Sequence, residues 1–569
     1  MRWEDFKEIW IADFEFFGSP NPPIPLCVVA REVQTGKTVK EWLFGKTPSD
    51  IPYSTRSDSL FVAYYASAEF GCHLSLDWPR PSFILDLFTE YRCLTNGLKV
   101  PANSLLGALT FFGISGGDTT YKDSMRDRIL AGPPYTEEEK DDILHYCEKD
   151  VDLTVRLFER MKELIDYPRA LLRGRYMWAV AEMERCGIPV NVENYLTVQK
   201  YWESVKDRLI EKIDSKYRVY ENGVFKIDRF KEYLIKNGIE WDLTDTGKPK
   251  LTDSYLRDQA KAHPELRPFH ELRYSIGQLK LNALEIGDDG RNRCLLSPFR
   301  AKTGRNAPSS SKFIFGPAVW VRYFISPSPD RALAYIDFEQ QEFGIGAALS
   351  NDPAMIEAYA SGDPYLAFAK QAKAIPQDAT KESHPNERDM FKTCVIALQY
   401  GMSEETFAKR INSPITIARE LYRLHKETYA IYWAWIEDFI DRAKLRGYTQ
   451  TKYGWTLKTR NTKHRTLQNF PMQANGAEIL RIACCLAVET GVQVCAPIHD
   501  AILIEAAEGE IAKTISKTQK LMGDASEWVL GGFRLRTDAQ TIHYPDTFTD
   551  SRGAEMWGKI WEIIHELRG

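Results

Sequence analysis

Two acids placed where strands end are the residues of this chain best suited to chemistry. Asp337 closes the run Leu333-Ala334-Tyr335-Ile336 and precedes Phe338-Glu339-Gln340-Gln341-Glu342-Phe343. Ala334, Tyr335 and Ile336 favour a strand, and Phe343 to Leu349 is apolar and helix-tolerant. An acid at the point where a buried strand turns into a helix suits holding Mg²⁺ against a substrate phosphate. One acid cannot hold two ions, so a partner is needed. Asp500 is the candidate, in Ile498-His499-Asp500-Ala501-Ile502-Leu503-Ile504, where a polar pair between two apolar runs predicts a hairpin tip. Between these acids, Arg388, Lys392, Ile396 and Tyr400 recur every fourth residue and share one helix face. Two cations, an apolar side chain and a ring along one face suit a triphosphate followed by a stacked base.

A second set of acids lies near the start. Trp10-Ile11-Ala12-Asp13-Phe14-Glu15-Phe16 reads as a strand, and its period of two puts Asp13 and Glu15 on one face. Adjacent carboxylates repel unless a cation lies between them or one keeps a proton. Glu69 follows in Phe61 to Phe70. After Pro133-Pro134 a helix is expected, with Thr136 and Glu139 as its capping box. On that helix Tyr146 and Asp150 are one turn apart and share a face.

A chain of 569 residues can bury a large core and form several domains. No run is long enough to span a bilayer, and the start Met1-Arg2-Trp3-Glu4-Asp5 is not that of a signal peptide. Ten cysteines without a Cys-x-x-Cys pair argue against a zinc site or disulfide framework and point to a reducing cytoplasm. The net charge of −5 does not advertise a nucleic-acid binder, so basic residues would have to line a channel while acids sit in metal sites and on outer faces. A linker is expected near Asp166-Tyr167-Pro168. The apolar spacing from Met177 predicts a helix ending at Gly187.

The three stretches around Asp337, Arg388 and Asp500 resemble motifs A, B and C of family A DNA polymerases, the DNA polymerase I-like group. Those motifs run Asp-Tyr-Ser-Gln-Ile-Glu; Arg, Lys, an aromatic and Tyr-Gly at spacings of four; and His-Asp-Glu. Asp13 and Glu15, Glu69, and Tyr146 with Asp150 resemble the three motifs of DnaQ-like (DEDD) 3′–5′ exonucleases. The resemblance implies an α/β and α+β multidomain chain. An RNase H-like exonuclease (residues 1–165) would be followed by a right-hand polymerase (166–569), with no 5′-nuclease domain ahead of it. The thumb would cover about 192–285, the palm about 286–350 and 461–569, and the fingers about 351–460.

It also implies two Mg²⁺ per active site, with Mn²⁺ as a substitute. The ligands would be Asp337, the Phe338 carbonyl and Asp500 in one site and Asp13, Glu15, Glu69 and Asp150 in the other, where Tyr146 would position the attacking water. Arg388 and Lys392 would meet the triphosphate, Ile396 the sugar, and Tyr400 the nascent base pair. Glu342 matches the gate that leaves no room for a 2′-OH. Arg305 in Thr303-Gly304-Arg305 would reach the duplex. Arg465, Asn469, Gln473 and His499 belong to the same substrate set, the two amides reading the minor-groove acceptors common to A·T pairs of either orientation.

The expected partners are primer–template DNA, dNTPs and a phage or host accessory protein, with a monomer in the cytoplasm of an infected bacterium. Glu69 stands where the family has Asp, Tyr65 where it often has Asn, Ile396 where it has an aromatic, and Ala501 where it has Glu. Tyr65, Ile396 and Ala501 leave room for the subgroup from phages whose DNA carries 2-aminoadenine. Two rivals remain. One is a single-subunit RNA polymerase, which lacks the exonuclease and the gate Glu. The other is a degraded DNA-binding relative, which Ala501 favours.

Overall fold

Alternation along the first strand organises the N-terminal sheet. In β1 (Glu8–Phe17), Ile9 and Ile11 join one apolar cluster while Trp10, Ala12 and Phe14 join another. The strands β2 (Ile24–Glu32), β3 (Thr38–Trp42), β4 (Ser59–Ala63) and β5 (Phe83–Asp86) complete the sheet in the order β3-β2-β1-β4-β5. β1 is antiparallel to β2 and parallel to β4. Helix α1 (Ala66–Ser75) packs on one face; α2 (Thr119–Leu130) and α3 (Glu137–Met161) pack against β1. The capping box of α3 forms as expected between Thr136 and Glu139. This computed structural model describes residues 1–46, 50–116, 119–244, 246–278, 281–411 and 413–569.

The expected linker at Asp166-Tyr167-Pro168 is instead the beginning of α4 (Tyr167–Cys186). Pro168 takes a first-turn position, where its missing N–H leaves no hydrogen bond unmade. Tyr167 is buried there. The expectation fails here because Pro opens a helix as readily as it ends one. α4 packs on α1 and β5 and also on the C-terminal half of the chain. Gly174 permits this: a Cβ on it would lie 1.9 Å from the Ile84 carbonyl oxygen. One residue earlier, buried Arg173 makes two 2.7 Å bonds to Glu90 and a 3.1 Å bond to the Tyr453 carbonyl. The helix ends at Gly187, whose φ of 64° suits glycine, as its sequence predicts.

After α5 (Val192–Tyr217) and further helices to Gln278, a second sheet carries the later acids. Its strands are β6 (Arg331–Phe338), β7 (Gln493–Ile498), β8 (Ala501–Ala507) and β9 (Thr537–His543), in the order β7-β8-β6-β9, antiparallel throughout. Helix α6 (Gln341–Ser350) follows β6, giving the strand-to-helix transition expected around Asp337. A helical region from Pro353 to Arg446 includes α7 (Pro364–Gln371) and α8 (Pro385–Gln399). The long α9 (His464–Glu489) then packs on α6, and α10 (Ile511–Leu530) packs on β6, β8 and β9. Along β6, Ala334, Ile336 and Phe338 are buried while Tyr335 and Asp337 are half-exposed. The chain closes with α11 (Ala554–Arg568) against α5.

Candidate active sites

Asp337 is the penultimate residue of β6, and Asp500 occupies the turn between β7 and β8, as the hairpin signal predicts. The turn is tightened by His499, which adopts a φ of 56°. Phe338 N–H donates to the Asp500 carbonyl at 3.3 Å and ties the turn to the strand. Burial, then the neighbouring Asp500, pushes Asp337 up to about 7. Its Oδ1 is buried with no hydrogen-bond partner. Burial also lowers the proton affinity of His499. Among the described residues, no ion pair neutralises Asp337 or Asp500. A desolvated carboxylate pair with an orphan oxygen and only oxygen donors fits a hard divalent cation, which would remove the repulsion that now holds a proton.

On α8 the four-residue spacing brings Arg388 and Lys392 over the same ring, Tyr365 of α7, at 5.8 and 5.9 Å. Lys392 is exposed, whereas Arg388 is held by Asp363, the N-cap of α7. Ile396 is half-buried one turn on. Tyr400 ends the helix, pushed up to about 12 by burial and then by Glu342, with Gln473 also at its hydroxyl. Arg465 donates from Nε to the Tyr400 carbonyl at 2.7 Å. Asn469 and Gln473 sit one turn apart on α9, both half-buried. Glu342, in the first turn of α6, accepts from Arg305 Nη2 at 3.0 Å. The structure thus links Arg305, Glu342, Tyr400 and Gln473 and sets Arg305 near His499 and Asp500, with Asp337 on the adjoining strand; Arg388 and Lys392 lie on the helix that Tyr400 ends.

The N-terminal acids also converge. β1 outruns β4, with which it pairs only as far as Ile11, and α1 begins at the gap this leaves. A register shift between Glu15 and Phe16 bends the strand beside the acids. Donor atoms of Asp13, Glu15 and Cys147 lie within 4.8 Å of one another. The Cys147 thiol donates to the Asp13 carbonyl oxygen, with Sγ at 3.2 Å. Burial, then Asp150, pushes Asp13 up to about 8; burial, then Asp13, raises Glu15 and Glu69 well above the carboxylate range. Glu69 Oε2 is buried without a partner. Asp150 is held by Lys122 Nζ at 2.8 and 3.0 Å, and the same ammonium lies 5.9 Å from the Tyr146 ring. One lysine against four acids leaves the cluster strongly acidic, which again fits divalent cations. Tyr65 opens α1 in the left-handed conformation, φ 78°, where Asn is far easier than Tyr. That accounts for the Asn expected there and marks a strained backbone.

Sequence reasoning missed Lys122, Cys147, Asp363 and Tyr365. Lys122 sits in a mixed-charge helix with nothing to distinguish it. The Asp363-Pro364 pair carried a helix-start signal that could have been read.

The match to the family model for DNA polymerase family A covers residues 317–541, from the segment preceding β6 into β9. Residues 317–541 are a family A DNA polymerase domain. The domain therefore contains Asp337, Glu342, α8 and Asp500. Among curated relatives, a DNA polymerase of Mycobacterium phage D29 is 25% identical over 63% of this chain and 61% of its own length. One of Mycobacterium phage L5 is 23% identical over 74% of this chain and 68% of its own. The aligned chain thus spans less than two thirds of the D29 protein. Among solved structures, the POL domain of Pol1 from M. smegmatis, in complex with DNA primer-template and dNTP, shares the fold. Its TM-score is 0.69, with 18% identity and 94% coverage of both chains. Among the described residues, no helix is long and apolar enough to cross a membrane.

Proposed function

We propose that this protein is a DNA-templated DNA polymerase, phage-encoded, with a proofreading 3′–5′ exonuclease in its N-terminal unit. The observation that carries the first part is the Asp337–Asp500 pair: two un-neutralised acids, one with an orphan buried oxygen, inside the family A domain. Mg²⁺ held by Asp337, Asp500 and the Phe338 carbonyl would lower the pKa of the primer 3′-OH and stabilise the departing pyrophosphate. The protein's own residues do the rest. Arg388 and Lys392 bind the triphosphate, Arg388 exchanging Asp363 for phosphate oxygens. Ile396 and Tyr400 pack beside the sugar and base, and Glu342 excludes a 2′-OH. Arg305, Arg465, Asn469, Gln473 and His499 face the primer–template. The Pol1 domain whose fold is shared was determined with DNA primer-template and dNTP, which supports this assignment of partners.

The thumb, palm and fingers are taken as about 192–285, 286–350 with 461–569, and 351–460. The exonuclease reading rests on the convergence of Asp13, Glu15, Glu69 and Asp150; the proton affinities of Asp13, Glu15 and Glu69, raised by burial and then by neighbouring acids, reflect a strain that a metal pair would relieve. Tyr146 orients the attacking water.

Primer extension on a defined template tests the whole reading. Extension with dNTPs, weak use of NTPs and shortening of the primer when dNTPs are withheld are expected. Equal use of NTPs would favour an RNA polymerase. Tight DNA binding with no extension at any Mg²⁺ concentration would favour a degraded relative.

A further inference from the structure

Asp538 takes no part in the sites described above. It lies on β9 directly opposite Asp337, while Ala501 lies opposite Asp337 on the other side, on β8. Directly opposed residues of antiparallel strands project to the same face, with Cβ atoms about 4.5–5.5 Å apart. Ala501, Asp337 and Asp538 therefore form one rung across the end of the sheet, on the half-exposed face that carries Tyr335. Opposed like charges destabilise a sheet unless something offsets them. Among the described residues, no cation does so here. Asp538 is exposed, and among the described residues no hydrogen bond or ion pair engages its carboxylate. The nearby Arg536 is committed to Glu339 at 2.9 Å and to Gln340 at 3.2 Å. On the same rung, Asp337 Oδ1 is buried and unpartnered. On the other side of Asp337, Ala501 offers only a methyl group.

From this rung we infer that Asp538 is the third carboxylate of the polymerase metal site. It approaches the ion pair from the strand opposite Ala501 and meets a metal directly or through a bound water. The inference rests on the polymerase reading. It accounts for an acid repeated across a strand pair without a cation, and for how a methyl group at 501 is tolerated. Mg²⁺ keeps several waters and needs few protein ligands, so an acid on a neighbouring strand is within the range of arrangements it accepts.

The test measures Mn²⁺ binding by the loss of the free-ion electron paramagnetic resonance signal. It uses the full chain with a dideoxy-terminated primer–template and the matching dNTP. All proteins carry Asp13→Ala and Glu15→Ala, so that the N-terminal acids do not contribute. Asp538→Asn should weaken Mn²⁺ binding by about tenfold, the size seen when groups supporting a metal are removed. Asp538→Glu should keep most of the affinity. Adding Ala501→Glu to Asp538→Asn should restore a carboxylate from the other side of the rung and recover binding. Extension of an ordinary primer should follow the same order. Parent-level Mn²⁺ affinity and extension in Asp538→Asn, or in Asp538→Ser should the amide disturb the strand, would overturn the inference and leave the polymerase reading intact. A parent protein that neither extends nor binds Mn²⁺ in the ternary complex would overturn both.

Discussion

Arg305 holds Glu342 across 3.0 Å at the start of α6, and neither side chain is more than about a quarter exposed. The loop carrying Arg305 is itself fixed. Gly304 adopts a φ of 74° with its N–H bonded to the Ala301 carbonyl at 2.9 Å, and buried Arg481 donates to the Gly304 carbonyl at 2.7 Å. The carboxylate proposed to exclude a 2′-OH is therefore positioned by a chain of contacts that begins in the core rather than by its own rotamer alone.

Removing that carboxylate should relax sugar selection. Glu342→Ala is expected to lower the dNTP/rNTP incorporation ratio by at least about tenfold, or about 1.4 kcal/mol of discrimination. Arg305→Ala, which leaves the carboxylate present but unheld, should move the ratio the same way by a smaller factor. Single-nucleotide kinetics with matched dNTP and rNTP measure it, and an unchanged ratio in Glu342→Ala would reassign selection to the face carrying Ile396 and Tyr400.

The two acid clusters are fed by different strands, so their activities should separate. Asp13→Ala with Glu15→Ala should abolish degradation of a 3′ end while extension with dNTPs survives. Loss of both activities in a protein with an unaltered circular dichroism spectrum would contradict two independent sites.

Metal dependence should carry a pH signature. Asp337 is raised from 3.8 to about 7, so near pH 6 the acid pair retains a proton that an incoming Mg²⁺ must displace. The Mg²⁺ concentration giving half-maximal extension should rise as pH falls from 8 to 6, by about tenfold per unit once below about 7 if one proton is exchanged. Without metal the sign is opposite for stability. Between about pH 4 and 7 the folded protein binds more protons than the unfolded chain, so stability contributed at this group falls as pH rises. Extension titrations of the parent protein read the first dependence, and Asp337→Asn should remove the second, as read by metal-free thermal melts.

Arg173 should matter to stability rather than to chemistry. Arg173→Ala leaves Glu90 buried without its partner, an arrangement that typically costs about 3–5 kcal/mol. Adding Glu90→Gln should recover part of the loss. Denaturant unfolding followed by tryptophan fluorescence would show it.

The parts of the sites legible in the sequence were those set by local pattern. The strand that ends at Asp337, the hairpin tip at Asp500, the face shared by Arg388 and Lys392, and the period of two that pairs Asp13 with Glu15 all follow from spacings within a few residues. The capping box of α3 and the glycine stop of α4 were equally local. What the sequence hid depends on distant pairing. Lys122 reaches Asp150 from another helix, Asp363 captures Arg388 from the element before it, and Asp538 faces Asp337 only because β9 returns beside β6. The helix start at Tyr167 was misjudged because a proline two residues after an acid reads equally as a linker.

The way α4 is shared has a practical corollary for anyone wishing to take the molecule apart. Trp178 packs against Phe70 of the first unit while the far side of the same helix lies against α9 and β7. Cutting away residues 1–165 would strip a hydrophobic wall from a helix that the remainder still needs, leaving a sticky, half-clothed rod. Forms lacking the proposed nuclease activity are accordingly better made by swapping single acids than by amputation, and grafting the front half onto a different protein would require transplanting the helix with it.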